Sequence, residues 1–135
     1  ADGVLISEFP TTPEAAAAAR KEGMKIVMGA PNVVRGGSHS GNVSALDLAE
    51  AGLLDGLSSD YVPASLLQSA ILLHEQHATP LPEAIGYVTA NIADMVGLDD
   101  RGEIAIGRRA DLVQVELAAS VPVVRSVWRE GRRVC

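Results

Sequence analysis

Asp60 closes the run Ser58-Ser59-Asp60, directly after the apolar segment Leu53 to Leu57. A carboxylate delivered by the end of a buried strand can orient and deprotonate a metal-bound water, whose pKa the metal has already lowered. The competing reading is that Asp60 caps the next helix, with Tyr61-Val62-Pro63 as its entry; the local pattern fits both. Upstream, Arg35-Gly36-Gly37-Ser38-His39-Ser40-Gly41-Asn42 combines small residues that admit close backbone approach with N–H and hydroxyl donors. Arg35 adds a bidentate fork for a phosphate, and His39 could donate to an anion or reach a metal. Gly-rich segments of this kind also serve as plain linkers. Glu8, in Ser7-Glu8-Phe9-Pro10-Thr11-Thr12, is a second strand-end carboxylate, suited either to a metal or substrate hydroxyl or to pairing with a surface cation.

Other polar clusters are weaker. His74-Glu75-Gln76-His77 has its histidines three apart, whereas the zinc-protease helix needs them four apart with the glutamate beside the first. A solvated helix end favoured by the C-terminal dipole explains that pair better. Asp99, Asp100 and Asp111 lie around turns and read as structural, and Trp128 reads as packing.

The elements that must position these residues alternate. Gly3 to Ser7 is a short apolar strand. Thr12-Pro13-Glu14 supplies an N-cap, a proline at the first helical position and an early acid, so a helix runs through Ala15–Ala19 until Gly23. Lys25 to Met28 is a second strand, followed by what reads as a long loop from Gly29 to Asn42. Ser44 caps a helix over Ala45–Ala51, and Leu53 to Leu57 is a third strand. Pro63 opens a long helix to His77, and shorter helices follow over Leu81–Thr89 and Asn91–Val96. Short strands separated by helices indicate an α/β fold with a parallel sheet. The spacing suits a (β/α) barrel, whose active sites lie at the C-terminal strand ends. Residues 1–98 therefore read as the C-terminal part of such a barrel. Residues 99–135 read as a small β appendage, with strands at Gly102–Ile106, Asp111–Glu116, Val123–Arg129 and Arg132–Val134.

Composition narrows the function. The 135 residues are 47% hydrophobic but only 3% aromatic, so the core rests on Ala, Val, Leu and Ile. Seventeen acids against eleven bases give a net charge of −6, which disfavours nucleic-acid and anionic-membrane partners while leaving room for a local anion pocket. The single cysteine, Cys135, excludes an internal disulfide or a cysteine metal cluster, and the cytoplasm is the expected compartment. No signal-peptide pattern or apolar run of membrane-spanning length is visible. The opening Ala1-Asp2-Gly3 leads straight into a strand, as expected for part of a longer polypeptide.

Thr89-Ala90-Asn91-Ile92-Ala93, Gly97-Leu98, Asp100-Arg101-Gly102-Glu103-Ile104, Gly107 and Arg109-Ala110-Asp111-Leu112-Val113 together resemble the C-terminal signature of the amidohydrolase superfamily. In that superfamily the last barrel helices lead into a small β-sandwich that also uses N-terminal strands. A narrower resemblance covers Ser7 to Thr12, Gly29 to Asn42 and Leu57 to Pro63. These look like the family of alpha-D-ribose 1-methylphosphonate 5-triphosphate diphosphatases of the carbon–phosphorus lyase pathway.

The resemblance implies the last three β/α units of a TIM-type barrel followed by part of the β-sandwich. It also implies hydrolysis of a small phosphorylated substrate at a divalent metal, zinc by preference, to give pyrophosphate and ribose 1-methylphosphonate 5-phosphate. Asp60 would be the general base and a metal ligand after strand eight. Arg35, Gly36, Gly37, Ser38, His39 and Asn42 would bind phosphate after strand seven, and Glu8 would follow strand six. Many members place a metal-binding histidine after strand six, and none lies near Glu8 here. The remaining ligands would precede Ala1, so the 135 residues alone are expected to be inactive. The alternatives are an amidohydrolase acting on C–N bonds (a deacetylase, deaminase or cyclic amidase) and a non-catalytic module that self-associates through open strand edges.

Overall fold

The computed structural model describes residues 3–38 and 41–135. Its first sheet has three parallel strands in the order β1 (Ile6–Glu8), β2 (Lys25–Gly29) and β3 (Gly56–Ser58). Helices connect them, as parallel pairing requires. The first, α1 (Pro13–Lys21), begins where the Thr12 hydroxyl accepts the Ala15 N–H at 3.1 Å. It ends before Gly23, whose φ of +81° suits glycine.

Between β2 and β3 the structure departs from the sequence reading. The segment from Gly29 to Asn42 does not run as a loop throughout, because its first part is the helix α2 (Ala30–Arg35). Pro31 presets the backbone of the first turn, Ala30, Pro31 and Val33 are buried, and Gly36 takes the left-handed conformation that ends the helix. A second helix, α3 (Ala45–Glu50), starts with a reciprocal cap between Ser44 and Asp47. The Asn32 side chain ties the two together by accepting the Ala45 N–H at 2.9 Å.

After β3 come α4 (Ser65–His77), α5 (Leu81–Gly86) and α6 (Ala90–Met95). Strand alternation divides the sheet into two faces. Ile26, Met28 and Leu57 point to the helical side and pack with Ala16, Leu48 and Leu73 in the main core. Glu8, Val27 and Gly56, which are in register, point the other way. Ile92 and Met95 of α6 cover part of that second face. They pack so closely that a Cβ on Gly56 would stand 2.4 Å from Ile92 Cδ1 and 2.9 Å from Met95 Cε.

The N-terminal end of β3 is clamped. Asp55 accepts the Ile26 N–H at 2.8 Å and pairs with Arg20 at 2.6 Å, and its carbonyl accepts from Asn91 at 2.9 Å. On the far side of β3, the Leu57 N–H donates to the Tyr87 carbonyl at 2.8 Å. No helix among the described residues is long and apolar enough to cross a membrane.

The second sheet is antiparallel, in the order β4 (Leu112–Ala118), β5 (Val121–Arg129) and β6 (Arg132–Arg133). Asp111 braces its base by pairing with Arg109 at 2.9 Å and accepting the Glu130 N–H at 2.8 Å. The strand expected at Gly102–Ile106 is absent; these residues are irregular, with bends at Gly102 and Glu103 and a turn starting at Ile106. Ile104 and Ile106 are fully exposed and lack the neighbouring strand that apolar alternation alone cannot provide.

Candidate functional site

The C-terminal ends of three adjacent parallel strands place Glu8, the start of α2, and Ser58-Ser59-Asp60 along one edge of the sheet. Asp60 lies in the turn after β3 and is exposed, with a φ of +49°. Aspartate tolerates this left-handed conformation better than most residues. Its carboxylate has no hydrogen-bond or ion-pair partner among the described residues. The helix after it does not use it as a cap, because α4 begins at Ser65, whose N-cap is Ala64. The capping alternative for Asp60 is thereby removed.

Glu8 and Ser58 line a cleft of about 460 Å³ on the face of the sheet opposite the core, with Ile6, Val27, Ile92 and Met95 as apolar walls. The Ser58 hydroxyl oxygen is buried there without a hydrogen-bond partner among the described residues. A buried orphan of this kind costs free energy unless a further group satisfies it. The structure thus brings Glu8 and Ser58 together in one cleft and sets Asp60 just beyond its strand end.

Arg35, Gly36, Gly37 and Ser38 line a second, more open cavity of about 490 Å³. The glycine amides do not point into it as free donors. Gly36 N–H donates to the Val33 carbonyl and Gly37 N–H to the Asn32 carbonyl, both at 3.0 Å. These bonds close the last turn of α2, so the glycines shape the site rather than bind through their N–H groups. Arg35 reaches the β3 end, where Nη2 donates to the Tyr61 hydroxyl and Cζ lies 5.6 Å from the ring centroid. Asn42 is exposed, and His39 lies outside the described residues.

Among the described residues, no three His, Cys, Asp or Glu side chains converge as a metal site. The donor set of Asp60 and Glu8 therefore does not fit a tightly held divalent metal, which needs three or more protein ligands in a catalytic site. His74 and His77 do not supply one either. His74 Nδ1 lies 2.9 Å from the Thr79 carbonyl, and His77 lies 3.9 Å from Glu50.

Sequence reading missed two contributors. The sequence places Tyr61 in a helix entry and in the Leu57 to Pro63 resemblance without giving it a role, although an aromatic beside a strand-end carboxylate is conspicuous in so aromatic-poor a chain. Asp55 was passed over because the sequence does not show that Arg20 and the Ile26 amide would meet it.

Parallel strands connected by helices, with polar groups gathered at their C-terminal ends, form an α/β scaffold, and the chain belongs to the amidohydrolase family, whose model matches residues 2–135. Divalent metals are typical of that family. Among its relatives is the alpha-D-ribose 1-methylphosphonate 5-triphosphate diphosphatase of Escherichia coli K12, 54% identical over 134 residues. The alignment covers 98% of this chain and 35% of the relative, so the chain spans about a third of that protein's length.

Two solved structures share the fold. Beta-aspartyl dipeptidase from Fervidobacterium islandicum matches with a TM-score of 0.63 at 20% identity, over 91% of this chain and 37% of that one. An amidohydrolase from Thermotoga maritima matches with a TM-score of 0.61 at 16% identity, over 96% and 43% of the two chains.

Proposed function

We propose that this chain is the C-terminal part of a hydrolase that cleaves alpha-D-ribose 1-methylphosphonate 5-triphosphate to pyrophosphate and ribose 1-methylphosphonate 5-phosphate. The observation that carries this reading is the 54% identity to the E. coli diphosphatase along nearly the whole chain. In this reading β1, β2 and β3 are the last three strands of the barrel, residues 1–98 belong to it, and residues 99–135 are part of the β-sandwich.

The reaction adds water across one phosphoanhydride bond. Water oxygen bonds to the phosphorus nearest the ribose, the bridging oxygen leaves with pyrophosphate, and a base takes the proton. Asp60 is the base: it is exposed at a strand end, has no described partner, and stands beside the Arg35–Tyr61 contact. Arg35 neutralises charge on the departing phosphates. Glu8 and Ser58 line the adjoining cleft and orient the sugar through its hydroxyls.

The metal that the family typically uses must draw its ligands largely from residues outside this chain, so the 135 residues alone are inactive. Pyrophosphate release, assayed with divalent metal on this chain and on a longer polypeptide carrying the remaining two-thirds equivalent, tests both statements. Activity of the longer polypeptide on the triphosphate, its loss in Asp60→Asn, and silence of the short chain are expected. Turnover of cyclic amides in preference to the triphosphate would overturn the substrate assignment.

Self-association is a separate reading supported by exposed Val113, Leu117 and Val124 on the second sheet. Size-exclusion chromatography over a concentration series addresses it. A concentration-independent monomer would refute it.

A further inference from the structure

Arg35 sits at the last position of a six-residue helix, where a long side chain with many rotamers has little reason to hold one direction. Yet its guanidinium is held twice by the same neighbour, through a hydrogen bond to the Tyr61 hydroxyl and by proximity to the ring, with Cζ 5.6 Å from the centroid. Tyr61 is 66% exposed, so core packing is not what keeps it in place. It follows Asp60 directly, in the turn that closes β3. The glycine amides beside Arg35 are already spent on the end of α2. Among the described lining residues the guanidinium is the cationic donor of this cavity, which makes its direction matter.

We propose that Tyr61 is a positioning residue for Arg35, holding the guanidinium at the turn that closes β3 with its remaining N–H donors presented to phosphate oxygens. The inference rests on the reading of the Arg35 cavity as a phosphate site. A guanidinium carries five N–H donors in a rigid fork, so one bond to the tyrosine leaves enough for a bidentate contact with a phosphate. A guanidinium held at the hydroxyl end of the tyrosine loses rotamer freedom before the anion arrives, so less is lost on binding. The contact also links the end of α2 to the turn after β3, and so couples the anion site to the element that carries the proposed base.

Inorganic pyrophosphate is the probe. Its binding to the intact 135-residue chain is measured by titration calorimetry, with the Arg35 Nε–H signal followed by nuclear magnetic resonance. Tyr61→Ala should weaken binding about tenfold. Tyr61→Phe, which keeps the ring and loses the hydroxyl, should weaken it about threefold. Arg35→Ala should lose most of the binding, and the double variant Arg35→Ala/Tyr61→Ala should bind no more weakly than Arg35→Ala alone.

That non-additivity is what a merely structural tyrosine would not produce, and circular dichroism of each variant confirms folding. Weakening by Arg35→Ala with wild-type affinity in Tyr61→Ala would overturn the positioning role and leave the phosphate site standing. Wild-type affinity in Arg35→Ala would overturn the phosphate site itself and the inference with it.

Discussion

Replacing Asp55 by alanine should destabilise the chain by about 3 kcal/mol, summed from the contacts its carboxylate makes. The largest loss is at Ile26, a fully buried residue whose N–H donates to Asp55 Oδ2 at 2.8 Å. Leaving a buried amide unpaired costs about 2 kcal/mol. The Arg20 pair is short, at 2.6 Å, but the Arg20 side chain is 35% exposed, so solvent screening reduces its share to about 1 kcal/mol. Lys25, at 3.5 Å and half exposed, adds little.

Asp55→Asn keeps an acceptor for the Ile26 amide and loses only the charge, so it should cost about 1 kcal/mol. Urea unfolding followed by far-ultraviolet circular dichroism gives these differences. The double variant Arg20→Ala/Asp55→Ala should cost less than the sum of the single changes, since the two side chains share one interaction. A loss below about 1 kcal/mol for Asp55→Ala, or equal losses for the alanine and asparagine variants, would refute this account. The consequence for the site is direct, because Asp55 anchors the start of the strand whose other end carries Ser58, Ser59 and Asp60.

Four further outcomes are expected. Gly56→Ala brings a methyl against Ile92 Cδ1 and Met95 Cε, the movable ends of half-buried side chains bordering the cleft, and should cost no more than about 1 kcal/mol in urea unfolding. Ser44→Ala removes the cap of α3 and should cost about 1 kcal/mol. The Ser44 hydrogen bonds hold the Asp47 carboxyl below its usual range, so that stabilisation is present above the ordinary carboxylate range and is lost as pH falls through it; Asp47→Asn should flatten this part of the acid limb of stability. Burial first, and then the bond to Glu83, push the Tyr87 phenol up to about 12. The folded state therefore favours the protonated phenol: its contribution is intact below pH 10, falls as pH rises towards 12, and should disappear from the alkaline stability profile of Tyr87→Phe.

Much of the scaffold is written locally. Thr12-Pro13-Glu14 and the Ser44–Asp47 pair mark helix starts through their own hydrogen-bonding chemistry, and the apolar runs around Ile26 and Leu57 read as buried strands without knowledge of their neighbours. The same local rules misled where context governs. Gly29 to Asn42 reads as a loop from its richness in Gly, Ser, Pro and Asn, although Pro31 in a first turn and Gly36 just past the last one are helix signals. Gly102–Ile106 looked like a strand, and no partner strand stands beside it among the described residues.

The candidate site divides the same way. The sequence alone set Glu8 and Asp60 near strand ends, because strands are marked by short-range apolar pattern, whereas Arg35 proved to close the helix α2. Only the tertiary structure decided their company. Parallel pairing set Glu8 and Ser58 in one cleft, the closing of α2 consumed the Gly36 and Gly37 amides, and the fold brought Tyr61 against Arg35. Such pairings join residues distant in the chain, and their energies depend on burial and direction, quantities that residue types and spacing do not carry.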